Sequence, residues 1–146
     1  MKTILLLHGA NLNCLGKRDP QYYGYLSLKE IEELTATELN KFEYKLIAYQ
    51  SNHEGCLIDT LQSQAIACNG IIINPGAFTH TSYALHDALC DASLPAVEVH
   101  LSAVTQREKW RRKSVITAAC IDVISGKQEH GYIEAVHILM EHLSND

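Results

Sequence analysis

The chain has no uninterrupted apolar run approaching the roughly 18 residues that a membrane-spanning helix needs, so no membrane role is expected. Its five cysteines, Cys14, Cys56, Cys68, Cys90 and Cys120, are odd in number, scattered and never spaced C-x-x-C. That excludes a disulfide framework or zinc knuckle and reads instead as small buried hydrophobes in a reducing, cytoplasmic compartment. The apolar stretch Ile4 to Leu7 ends at His8 and Gly9 and is too short for the core of a secretory signal. Basic charge is also scarce, with 12 Lys and Arg against 17 Asp and Glu and a net charge of -5, which argues against a nucleic-acid surface. The one basic cluster, Arg107 to Lys113, is broken by Glu108 and Trp110 and reads as a solvated helix face. No three histidines or carboxylates share a metal-binding spacing, so neither a metal nor another cofactor is expected. Internal repeats and low-complexity segments are missing as well.

What remains is the pattern of one globular unit. At 146 residues and 47% apolar content, the chain suits a single catalytic domain over residues 1–146 with one core. Strand-like runs alternate with helix-like runs: Thr3 to Leu7, Lys45 to Gln50, Gly70 to Asn74, Ala96 to His100 and Ala118 to Ser125. Between the first two, Ser27 followed by Glu30 predicts a capped helix carrying Ile31, Leu34, Leu39 and Phe42 at helical spacing. Leu57 to Cys68, Tyr83 to Cys90 and Tyr132 to Leu143 predict three more helices. Such alternation implies a five-stranded parallel α/β sheet with helices on both faces.

In open sheets of this kind ligands bind beyond the carboxyl ends of the strands, and here the residues at those ends are polar. They are Asn11, Arg18 and Tyr23 after the first strand, and Ser51, Asn52, His53 and Glu54 after the second. Asn74 and His80 follow the third, and His100 and Ser102 the fourth. Single Asn or Ser residues in such places are often only turns or caps, a reading open for Ser51, Asn52 and Thr81. A dinucleotide G-x-G-x-x-G, a flavin-type Ser/Thr-rich first loop and the carboxylates of a phosphoacceptor site are all missing, which points to a small polar ligand. Arg18 and Tyr23 lie five positions apart in a loop punctuated by Gly16, Pro20 and Gly24. A tyrosine, with a reference pKa of about 10, works as a base near neutrality only if its phenolate is stabilised. A guanidinium about 4 Å away contributes at most about 4 kcal/mol to that at an effective dielectric of about 20. Spacing alone does not separate this role from ordinary surface packing.

The stretches GANLNCLGKRDPQYYG, QSNHEG, IIINPGAFTHTSYAL, EVHLS and REKWRRKS, in this order, resemble the type II 3-dehydroquinate dehydratase family over nearly the whole chain. The resemblance implies a flavodoxin-like fold and a hydro-lyase of the shikimate pathway or, in some organisms, of quinate catabolism. It further implies trimers assembled into a dodecamer, with 3-dehydroquinate as the substrate. It assigns Tyr23 as base, Arg18 as the loop arginine that activates it, and His100 as general acid. Asn11 would hold a water at the developing enolate oxygen, and Asn74 with the amides of Leu101 and Ser102 would grip the substrate carboxylate. His80 and Arg111 would meet the ring hydroxyls, and Asp87 would reach a neighbouring subunit's site. Glu98, two residues before His100 on the same strand face, either orients that histidine or is a carboxylate paired elsewhere. Ala10, His86 and Ala103 depart from the usual proline, arginine and asparagine, and SGKQEHGY lacks a common glycine-rich pattern. The other route to this dehydration, a Schiff-base lysine on a (β/α)₈ barrel, typically needs about 250 residues. The alternative from another class is a non-catalytic small-acid-binding or scaffolding oligomer of the same fold.

Overall fold

A computed structural model describes residues 1–145. Five strands, β1 (Lys2–His8), β2 (Tyr44–Gln50), β3 (Gly70–Asn74), β4 (Ala96–His100) and β5 (Asp122–Ser125), form one parallel sheet in the order β2-β1-β3-β4-β5. The helices are α1 (Pro20–Tyr23), α2 (Leu28–Asn40), α3 (Glu54–Gln64), α4 (Tyr83–Ala92) and α5 (His130–Ser144). Alternation along β1 sends Ile4 and Leu6 into a core under α2 and α5, and Leu5 and Leu7 into a second core under α3 and α4. The sheet is therefore covered on both faces, the arrangement expected of near-continuous apolar strands. Each wholly buried Ile or Leu contributes about 1.5–3 kcal/mol relative to exposure.

Local chemistry sets the helix ends. Ser27 Oγ accepts from the Glu30 amide at 3.2 Å and Glu30 Oε1 accepts from the Ser27 amide at 3.1 Å, a reciprocal cap on α2. At the other end α2 stops at Asn40, because Glu43 turns the chain at φ 64° into β2. Phe42 consequently lies beyond the helix and 40% exposed, edge-on to His137, rather than on the apolar stripe. Two further expectations need correction. The last strand is Asp122–Ser125 only, since Thr117–Ala119 form a 3-10 turn drawn inward by hydrogen bonds from the Thr117 amide and hydroxyl. Arg107 to Lys113 is not an α-helix but a loop with one 3-10 turn at Lys109–Arg112. It has no apolar stripe to bury, and helix stability in proteins comes chiefly from such a stripe.

The order reverses between β1 and β3, where the connections leave in opposite directions and open a crevice. There the two chains press together: the Gly9 amide donates to the Asn74 carbonyl at 2.7 Å. A Cβ on Gly9 would stand 2.0 Å from the Pro75 carbonyl oxygen, and one on Gly76, at φ 61°, 2.7 Å from that of Ala10. Gly9→Ala is therefore expected to force backbone apart and lower stability by about 1–3 kcal/mol. Gly55→Ala, near the start of α3 and with nothing within 4 Å, should be neutral or raise it by up to about 1 kcal/mol. Urea midpoints compare the two, and equal midpoints would contradict the packing argument.

Candidate active site

The crevice is a cleft of about 530 Å³, its open mouth included, within the range of small-molecule sites. Asn11, Arg18, Tyr23, Asn74, His80, His100, Leu101, Ser102 and Arg111 all line it. Of the residues to which the family resemblance assigns a role, two do not: Glu98 is wholly buried beneath His100, and Asp87 is exposed on α4; the residues after β2, Ser51, Asn52, His53 and Glu54, do not line it either. One charged residue on the lining had no role assigned from sequence, Arg107.

Tyr23 is delivered by α1, a single helical turn. The Asp19 carboxylate caps the Gln21 amide, Pro20 opens the turn, and Gly24 at φ 74° ends it. Arg107 Nη1 donates to the Tyr23 hydroxyl at 2.8 Å. Its guanidinium also lies 4.1 Å from the centre of the Tyr22 ring and reaches Ser102 Oγ at 3.3 Å. Arg18 takes a different position, stacked over the face of the Tyr23 ring at 3.7 Å. Two guanidinium groups thus surround one phenol, and the one on its oxygen comes from a loop 84 residues away. Nothing in the spacing of REKWRRK distinguishes Arg107 from its basic neighbours; only the juxtaposition of the β4 and β1 loops singles it out.

His100 ends β4 and is 6% exposed, with Nε2 hydrogen-bonded to the Glu98 carboxylate. Residues i and i+2 share a strand face, which is why these two meet. Glu98 also accepts from Thr79 at 2.5 Å, Thr117 at 2.5 Å and Ser114 at 3.1 Å. Glu98 is thus hydrogen-bonded to His100 and is itself caged by three hydroxyls that sequence inspection did not single out. Burial pushes this carboxyl up, but the hydrogen bond and charge of His100 and the hydroxyls of Thr117 and Thr79 outweigh it. The carboxyl is held below the usual carboxylate range.

A pH dependence follows. Because the folded value lies below the unfolded one, the stabilisation is complete above the ordinary range near pH 4.3 and is lost as pH falls through the folded value. Wild-type urea midpoints should drop more steeply below about pH 4 than those of Glu98→Gln. Parallel curves would show that Glu98 is not ionised in the fold.

Opposite this pair, the Asn74 amide is fixed at both ends. Its oxygen accepts from the Gly76 amide at 3.1 Å, and its nitrogen donates to the buried Tyr132 hydroxyl at 3.0 Å. His80 Nδ1 donates to the Lys113 carbonyl at 2.6 Å. Arg111 stacks on Trp110 at 4.1 Å and pairs with Glu108, whose carboxyl that contact holds below its ordinary value. The QSNHEG block contributes through Gln50 and Asn52: Asn52 Oδ1 accepts from the Asn11 amide at 2.8 Å, and Gln50 Nε2 donates to the Gly9 carbonyl at 3.2 Å. Asn11 thereby holds the left-handed conformation, φ 71°, that asparagine tolerates. His53 is exposed at the start of α3 and gives no such brace, while Ser51 Oγ only closes the turn onto the His53 amide.

A doubly wound parallel sheet with a cation-held phenol and a carboxylate-held imidazole on one polar cleft defines an α/β enzyme of acid–base chemistry. Comparison with known proteins makes this specific. The family model described as Dehydroquinase class II matches residues 2–140. A 3-dehydroquinate dehydratase of Bacillus cytotoxicus is 46% identical over 143 residues, covering 98% of each chain. A catabolic 3-dehydroquinase of Verticillium alfalfae is 41% identical, covering 96% of this chain and 93% of its own. The crystal structure of type II dehydroquinase from Butyrivibrio crossotus superposes with a TM-score of 0.92 at 39% identity, covering 95% of this chain and 97% of that one. The chain belongs to the class II dehydroquinase family.

Proposed function

We propose that this protein is a type II 3-dehydroquinate dehydratase: it removes water from 3-dehydroquinate to give 3-dehydroshikimate, on the shikimate route to aromatic amino acids. The observation that carries the mechanism is the pair of held groups on one cleft, the Tyr23 hydroxyl against Arg107 and the His100 imidazole against Glu98.

The substrate is a β-hydroxy ketone. Tyr23, as phenolate, takes a proton from the carbon between the ketone and the carbinol, and the C–H electrons pass into an enolate. The enolate then re-forms the ketone as the carbon–carbon double bond closes and the C–O bond breaks. His100 gives its proton to the departing hydroxyl, which leaves as water. Arg107 and Arg18 meet the negative charge on the phenolate, and Asn11 holds a water at the enolate oxygen, where charge develops in the transition state. Asn74, with the amides of Leu101 and Ser102, takes the substrate carboxylate, while His80 and Arg111 take ring hydroxyls. Glu98 keeps the imidazole oriented through its hydrogen bond.

The assembly is a trimer, with four trimers forming a dodecamer, and the exposed Asp87 on α4 completes a neighbour's cleft. No helix among the described residues is long and apolar enough to cross a membrane, in keeping with a cytoplasmic enzyme. Addition of 3-dehydroquinate is expected to produce the near-ultraviolet absorbance of a conjugated enone, and its absence would refute the activity. Borohydride added with substrate should leave the protein active; a trapped covalent adduct would indicate a lysine mechanism instead. Sizing chromatography tests the assembly, and full turnover by a demonstrated monomer would overturn the role of Asp87.

A further inference from the structure

We infer that His8 and Tyr132 are positioning residues for Asn74, an inference that rests on Asn74 gripping the substrate carboxylate. His8 is the last residue of β1 and lies in register beside Asn74 on β3. It is wholly buried, and among the described residues neither ring nitrogen has a hydrogen-bond partner. Such a group carries a desolvation penalty that a leucine at the end of this Ile-Leu-Leu-Leu strand would avoid.

Its surroundings supply the reason. On one side the Glu32 carboxylate, from the partly exposed face of α2, is 3.6 Å from His8 Nε2. On the other the Tyr132 ring, from α5, stands 6.4 Å away centre to centre and is tilted by 45°. Tyr132 is itself wholly buried, and its hydroxyl accepts from Asn74 Nδ2. Burial chiefly, with the Glu32 charge adding to it against the Asn74 hydrogen bond, pushes the phenol well up, so it keeps its proton.

A phenol that accepts from Asn74 while keeping its proton is a directional link. Glu32, His8, Tyr132 and Asn74 therefore follow one another from the α2 surface to the cleft, by an ion-pair contact, a ring packing without a hydrogen bond and one hydrogen bond in turn, through a layer otherwise filled by Ile4, Leu6 and Leu139. Its effect is to spend one amide N–H of Asn74 on Tyr132 and leave the second to face the carboxylate.

Steady-state kinetics on 3-dehydroquinate test this with Tyr132→Phe, His8→Leu, the double variant, His8→Gln and Asn74→Ala. Tyr132→Phe keeps the ring, so the core shape survives even if His8→Leu folds poorly. The expected result is a KM raised about tenfold in Tyr132→Phe and in His8→Leu, with kcat within about twofold, as for an interaction made equally in ground and transition states. The double variant should be no worse than either single one, and His8→Gln should restore most of the affinity. An unchanged KM in Tyr132→Phe, multiplying effects in the double variant, or kcat falling as far as KM rises would overturn the inference. If Asn74→Ala raises KM and the other variants do not, the positioning line alone fails. If Asn74→Ala leaves KM unchanged, the carboxylate reading fails and takes this inference with it.

Discussion

Tyr23→Phe is expected to lower kcat by about 10³-fold with little change in the urea midpoint. The substitution removes one oxygen from a half-buried ring whose packing partners, Tyr22 and the Arg18 guanidinium, remain in place. What disappears is the proton acceptor; the other cleft oxygen that Arg107 reaches, Ser102 Oγ at 3.3 Å, belongs to an aliphatic alcohol and not to a phenol. Arg107→Leu should follow in the same direction, by about 10²-fold, because it removes the donor to that oxygen. It also tests the division of labour between the two arginines. Arg18→Ala acts through the ring face, Arg107→Leu through the hydroxyl, and only the second removes a hydrogen bond. Activity of Tyr23→Phe within tenfold of wild type would mean that the base lies elsewhere.

His100→Ala should have an effect of similar size, about 10³-fold on kcat, for a separable reason. Here the loss falls on departure of the hydroxyl, a poor leaving group without a proton. An analogue whose departing group leaves as a stable anion should therefore recover much of its rate with His100→Ala and none with Tyr23→Phe. Recovery with both variants, or with neither, would remove the assignment of acid to His100 and base to Tyr23. The variant also leaves Glu98 buried without its imidazole partner, so some loss of stability is expected, usually several kcal/mol when one member of a buried pair is removed. Urea midpoints of His100→Ala and Glu98→Gln keep the kinetic and structural effects apart.

Much of the fold was legible in the sequence because its signals are local. Ser27 and Glu30 cap the helix they mark, and β3 and β4 run over the residues their apolar runs delimit. The errors lie where local pattern competes with tertiary hydrogen bonds. Ala118 to Ile121 is as apolar as a strand, but the Thr117 hydroxyl is held by Glu98, and the chain joins the sheet only at Asp122. Phe42 fits the helical period, yet the chain turns at Glu43 to reach β2.

The cleft divides in the same manner. Glu98 and His100 were readable together because a strand places i and i+2 on one face, and Arg18 and Tyr23 because one loop holds both. Covalent neighbourhood and the period of the backbone were sufficient for those pairs. Arg107 on the Tyr23 oxygen, Asn52 on the Asn11 amide, the hydroxyls around Glu98 and the line from Glu32 to Asn74 join residues 16 to 124 positions apart. Those contacts exist only once the parallel sheet has brought the carboxyl ends of β1, β3 and β4 side by side, since no periodicity along a chain encodes which loops will meet across it.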